Sequence, residues 1–167
     1  RVPMLRGRIV AAGGIKIGAD TYKWEIKDAA PGETTAWDVL DAGSSLTLTA
    51  TPEARMVLKL YTITAGGAAG YLANFDNTQQ YRWTIAKPAA VTGFDPNVVQ
   101  IDAADFWSDL GGGSFSVATV TNEGVTELQV RFSPPVVVEV TGFAVADKTT
   151  GSTLFTNMRD VNVAVSV

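Results

Sequence analysis

Cysteine and histidine are both absent from these 167 residues. Without cysteine there is no disulfide framework, no thiolate metal site and no thiol nucleophile. Without histidine the Ser-His-Asp and Cys-His triads, every imidazole zinc ligand and the commonest general base near neutral pH drop out together. Charge is scarce too: 18% of residues are Asp, Glu, Lys or Arg, against roughly 25% in ordinary domains. The surface must therefore be built from Thr, Ser, Asn, Gln and Gly, a style common outside cells. A net charge of -4 with no long basic run excludes a phosphate-tracking groove, so nucleic acid is not expected as a partner. No apolar run approaches the roughly 18 residues of a membrane helix, and direct membrane insertion is not expected. The opening "RVPMLRGRIVAAGGIKIG" is too broken by Arg and Gly to be a signal core. The chain is therefore expected to be mature or excised, with any export signal removed or outside it.

What the chain has in quantity is period-two alternation, the pattern of strands with one buried face. In "YKWEIK" Tyr22, Trp24 and Ile26 share a face, and in "SLTLTA" Leu46 and Leu48 do. "RMVLKLYTIT" is apolar on both faces and predicts a central strand. "YRWTIA", "SFSVATV" and "TELQVRF" predict antiparallel partners, the last burying Leu128, Val130 and Phe132, with "TNEG" as a hairpin connection between the last two. The single helical candidate is "IDAADFWSDL", a turn or two after Asp102 as N-cap. Glycine- and proline-rich loops separate about ten such strands, which predicts an all-β fold, an antiparallel β-sandwich or jelly roll with little or no helix. Two prolines in "RFSPP" suggest a boundary: residues 1–134 as the sandwich, and 135–167 as extra Val-rich strands forming a sheet edge, linker or donor strand.

Aspartates are the only plausible chemical groups. Asp102, Asp105 and Asp109, with Asp95 upstream, are candidate Ca²⁺ ligands or a glycosidic carboxylate pair. Their spacing fits neither an EF-hand nor an RTX template, and Asp is also the usual filler of turns. No other cofactor is expected. "LGGGSF" lacks the following Lys-Ser/Thr and helix of a phosphate loop, so its glycines are expected to serve a sharp turn. Trp24 and Trp83 alternate in phase with Ile26 and Ile85 and belong to a core. Trp37 and Trp107 sit in less regular surroundings and are the candidates for stacking on a glycan. In "NFDNTQQYRWTIA", Asp76 and Asn77 predict an Asx-turn that starts the Tyr81 strand, and ligation by Asp76 with Gln79 or Gln80 is the less favoured reading.

In order, "YKWEIKDA", "TAWDVLDAGSSLTLTATP", "NFDNTQQYRWTIA", "VTGFDPNVVQIDAADFWSDLGGGSFSVATV" and "ELQVRFSP" resemble one family. It is the C-terminal region of secreted bacterial surface proteins with autotransporter-associated β-strand repeats, of the planctomycete and verrucomicrobial type. The resemblance spans about residues 20–134 and implies export, a repetitive β architecture and a passive surface role. It carries over no catalytic residue. It also departs from the family where a Val-rich segment follows Pro134, since the closing strand there usually lies near the chain end.

The expectation that follows is a non-catalytic, extracellular structural module of a cell-surface layer, stalk or filament, assembling with copies of itself. The nearly uncharged terminal segments, with Ile9, Val10 and Ile15 at one end and Val161, Val163, Val165 and Val167 at the other, are the expected subunit interface by strand exchange. A carbohydrate-binding adhesive module is the alternative, and an enzyme using Asp and Glu is a third reading, weakened by the lack of a paired-carboxylate signature.

Overall fold

The computed structural model describes residues 8–11, 13–30 and 35–137, with the backbone alone for 8–11. Eleven strands appear among them, with one short 3₁₀ turn. They are β1 (Arg8–Ala11), β2 (Ile15–Ile17), β3 (Thr21–Ile26), β4 (Val39–Ala42), β5 (Ser45–Leu48), β6 (Met56–Thr62), β7 (Tyr81–Ala86), β8 (Ala90–Thr92), β9 (Val99–Asp105), β10 (Ser114–Asn122) and β11 (Val125–Ser133). The expected all-β character holds. The expected antiparallel sandwich does not: six of the eight strand pairings are parallel.

The pairing follows a period of three. β1, β4 and β7 lie side by side, as do β2, β5, β8 and β3, β6, β9, every neighbour parallel. Each run of three strands is thus one coil of a three-sided parallel stack, and the described residues complete three coils. The short links that would signal hairpins in a meander instead turn corners from one sheet into the next. Alternation along a strand reports which face is buried and is silent about the direction of the neighbour, which is why it misled.

Register stacks like on like inside the coils. Ile15, Leu46 and Val91 form one inward column, and Tyr22, Leu58 and Ile101 another. The middle coil is the best covered: Leu46, Leu48, Met56, Leu58 and Leu60 are buried. β6, the expected central strand, is flanked by β3 and β9. Burying a Leu of this kind stabilises by about 2 kcal/mol.

At β7 the pattern changes. β11 pairs with it antiparallel, and β10 with β11, so the three strands expected to be antiparallel partners are so. The β10–β11 link places both Glu123 (φ 49°) and Gly124 (φ 80°) in the left-handed region, the requirement of a type I′ two-residue turn. β11 buries Leu128, Val130 and Phe132. Its outward face carries a chain of polar bonds, Thr84 to Glu127, Gln129 to Glu127 and Arg131 to Gln129.

The helix expected in "IDAADFWSDL" is absent: Val99–Asp105 is β9. Its partner β6 shows why. Lys59 pairs with Asp102 and Tyr61 with Asp105, so β9 holds one extra residue, a bulge. Asp102 caps the bulge by accepting from the Ala104 N–H at 3.0 Å. The residue suited to an N-cap satisfies a displaced strand N–H instead. No helix of the described residues is long and apolar enough to cross a membrane.

Candidate functional site

The polar run before β7 is a junction. Asp76 accepts from the Thr78 N–H (2.9 Å) and hydroxyl (2.7 Å), the Asx-turn expected there, and these bonds hold its carboxyl below the usual aspartate range. Asn74, at φ 56°, donates to both Asp28 oxygens, and Asn77 donates to the Asp109 carbonyl. The Tyr81 hydroxyl accepts from the Asp76 N–H and donates to the Asn74 carbonyl. Between these polar ties Phe75 meets Tyr81, Phe106 and Phe132 at ring distances of 5.3, 5.2 and 5.0 Å. The segment ties a coil corner to the hairpin, and Gln79 and Gln80 remain exposed beside it.

The aspartates considered for Ca²⁺ are each engaged locally. Asp102 caps the bulge, Asp105 pairs with Lys59 at 2.7 Å, and Asp109 accepts from the Gly111 N–H. Asp95 caps the 3₁₀ turn Pro96–Val98. Asp102 and Asp105 do meet at one place, around Lys59, whose ammonium is held charged to higher pH first by its hydrogen bond to Asp105. Among the described residues no three acidic groups gather as a metal-holding set. The glycines of "LGGGSF" turn the chain, Gly111 and Gly112 at φ 58° and 86°.

The tryptophans divide as the alternation indicated. Trp24 and Trp83 are buried with ring centroids 5.9 Å apart. Trp107 is half exposed and meets the exposed Tyr71 edge-on at 86°. Trp37 forms a bridge with Ile26, donates its indole N–H to the Thr84 carbonyl at 3.0 Å, packs against the core, and is among the residues lining a groove of about 320 Å³.

That groove is built by the chain between β3 and β4 returning along β3. Asp38 N–H donates to the Glu25 carbonyl, the Asp38 carboxylate accepts from the Glu25 N–H at 3.2 Å, and Lys27 N–H donates to the Ala36 carbonyl. The second half of β3 is thereby sealed on its outer edge. Glu25 alternates with the core residues Trp24 and Ile26, yet the returning chain covers it to 5% exposure. Its carboxylate stands 3.4 Å from Lys23, whose ammonium also lies 3.6 Å from the centre of the Tyr61 ring. Glu25, Lys27, Trp37, Asp38, Ile63 and Thr64 are among the groove's walls.

Of the expected interface residues, Ile9 and Val10 lie on β1, paired with Leu40 and Asp41 of β4, and Ile15 on β2, paired with Leu46. Val161, Val163, Val165 and Val167 fall outside the described residues. Among the described residues β1 and β2 are edge strands. Thr49 N–H donates to the Ile17 carbonyl, so the alternation of a parallel ladder directs the peptide groups of Lys16 away from β5. No family model, curated protein or solved structure matches this chain.

Proposed function

We propose that the chain is a non-catalytic structural module of a bacterial surface layer, stalk or filament, working outside the cell and joined to its neighbours by strand pairing. The observation that carries this reading is the difference between the two ends of the stack. At one end the β10–β11 hairpin continues the β1–β4–β7 sheet and packs alongside β8, β9 and the 3₁₀ turn. At the other, β1 and β2 are the last strands of their sheets among the described residues, and the Lys16 peptide groups face away from β5. An unpaired parallel edge is a template for another strand. Half-buried Ile15, Ile17 and Tyr22 continue the inward columns to that end, where an added coil would cover them. Lys16 on the open edge opposes indiscriminate pairing, which selects a partner strand with an acid or hydroxyl opposite it.

The resemblance to repeat-bearing surface proteins supports the same reading, as does a surface poor in charge. Electron microscopy and light scattering of the purified chain test it. Ordered oligomers or filaments are expected, and they should be lost in Lys16→Pro, which removes only an outward-facing N–H and so leaves the β2–β5 ladder intact. Dispersed monomers, or undiminished assembly by Lys16→Pro with native circular dichroism, would overturn the reading. A chain shortened by residues 160–167 tests the strand-exchange version separately: unchanged assembly excludes that segment as donor.

A further inference from the structure

We propose that β10 is a docking edge for a second copy of this chain, the two β10 strands pairing antiparallel about a two-fold axis through Ala118. This does not rest on the assembly reading, which concerns β1 and β2 at the other end of the stack.

Among the described residues β10 ends its five-stranded sheet, with β11 on one side and no strand on the other. The two-residue turn at Glu123 and Gly124 fixes which way each peptide group faces. Its flanking pair, Asn122 and Val125, exchanges both bonds, so Asn122, Val120, Ala118, Ser116 and Ser114 face β11. Phe115, Val117, Thr119 and Thr121 direct theirs to the other edge, and no backbone bond outside the ladders uses them among the described residues.

Edge strands are ordinarily guarded by charge, brevity or a bulge. β1 carries Arg8, β2 Lys16 and β3 Lys23, β8 spans three residues, and β9 carries two aspartates and a bulge. β10 runs for nine residues in unbroken register with neither a charge nor a proline. It is the one long edge left unguarded among them.

Its own copy is the strand that fits. One two-fold register pairs every outward peptide group: Phe115 opposite the partner's Thr121, and Val117 opposite the partner's Thr119, with Ala118 on the axis. Charge on the outer face agrees with the same register. There Val120 lies beside Glu127, and Ser116 beside Arg131, which is itself directly opposite Arg82 of β7. Two arginines so placed repel, and neither has an ion-pair partner among the described residues. The axis through Ala118 continues that row from Arg82, Arg131 and Ser116 to the partner's Val120 and the partner's Glu127. Arg131 and that carboxylate's backbone are three strand spacings apart, about 14 Å, and both side chains can lean across the small serine. Moving the axis to Val117 or Thr119 removes the glutamate from the row and leaves one outward residue without a partner on the strand.

Because the chain has no cysteine, a single introduced thiol reports the register. On the axis Ala118 would form a non-hydrogen-bonded pair with Cα atoms about 4.5 Å apart, within disulfide reach. Ala118→Cys is expected to give a covalent dimer on mild oxidation with diamide. Ser116→Cys, whose two thiols would stand four residues apart along the strands, is expected to stay uncrosslinked. Sedimentation is best read in the Lys16→Pro chain, which isolates this edge from β2: a dimer is expected there, and Ala118→Lys, a change on the half-buried outer face, should return it to monomer with unchanged circular dichroism. Glu127→Arg should weaken the dimer, and adding Arg131→Glu should restore it. A chain monomeric at every concentration, equal crosslinking at 116 and 118, or a persisting Ala118→Lys dimer would each overturn the proposal. So would a monomer whose Thr119 and Thr121 amides resist hydrogen exchange, since another segment would then hold the edge.

Discussion

Gly93 marks how closely successive coils approach. It turns the chain after β8 at φ 77°, and a Cβ there would collide with the Leu48 carbonyl oxygen of β5. Gly93→Ala combines left-handed strain with an immovable backbone clash, and is expected to cost about 3 kcal/mol, read as a lowered midpoint in urea. Tyr22 presents the opposite case. Its hydroxyl is buried with no hydrogen-bond partner among the described residues. Burial first, and the Asp38 carboxylate second, push its ionisation well above the ordinary range. Removing an unsatisfied hydroxyl relieves a desolvation penalty, so Tyr22→Phe should equal or exceed the parent by up to about 1 kcal/mol at neutral pH, checked by thermal melts. The in-phase Trp24 and Trp83 were legible as core from alternation alone. Glu25 was not, because nothing in "YKWEIK" indicates that residues 35–38 will fold back over it.

At the scale of elements, the β10–β11 hairpin was legible because its turn chemistry is local. Glu123 is the exception within it, a side chain held at φ 49° where Asn or Gly is at ease. Glu123→Asn should therefore stabilise the chain by about 1 kcal/mol, measured as a raised melting temperature with an unchanged circular dichroism spectrum. Strands β2, β4 and β8 span three or four residues each, too short for alternation to rise above its surroundings. Their direction was hidden for a further reason: a corner link and a hairpin link use the same glycine- and serine-rich residues, as Gly43 and Ser44 between β4 and β5 show. Parallel pairing is settled by partners some tens of residues away, beyond any local window. The helical expectation at Asp102 failed likewise, since β6 dictates the ladder that Asp102 then repairs.

For the whole molecule, the titrating groups set the range of stability. No histidine is present, so no imidazole titrates between about pH 5 and 9. Asp76 is held below its usual range, so its contribution is complete above about pH 4 and lost as pH falls through its lowered folded value. Lys59 is held above its usual range, and its contribution is complete below about pH 10 and lost as pH rises through the raised value. Tyr22 resists ionisation in the fold, so its ionisation in the unfolded chain also lowers stability above about pH 10. Urea midpoints should thus be flat across neutrality and fall at both extremes, with the alkaline fall reduced in Tyr22→Phe. A midpoint that varied steeply near pH 7 would contradict this account.

The three parallel ladders also determine how the chain bears a load. Their hydrogen bonds run from coil to coil, so tension along the stack meets them one after another, as a zipper does, whereas tension along the strands would strain a whole row at once. The β10–β11 and β7–β11 registers, with Phe132 locked among the aromatic rings, form the stiffest terminus. Single-molecule pulling on the stack axis is expected to give small successive ruptures, each releasing one coil and beginning at β1, with the hairpin yielding last. A single large rupture would mean that the coils share the load.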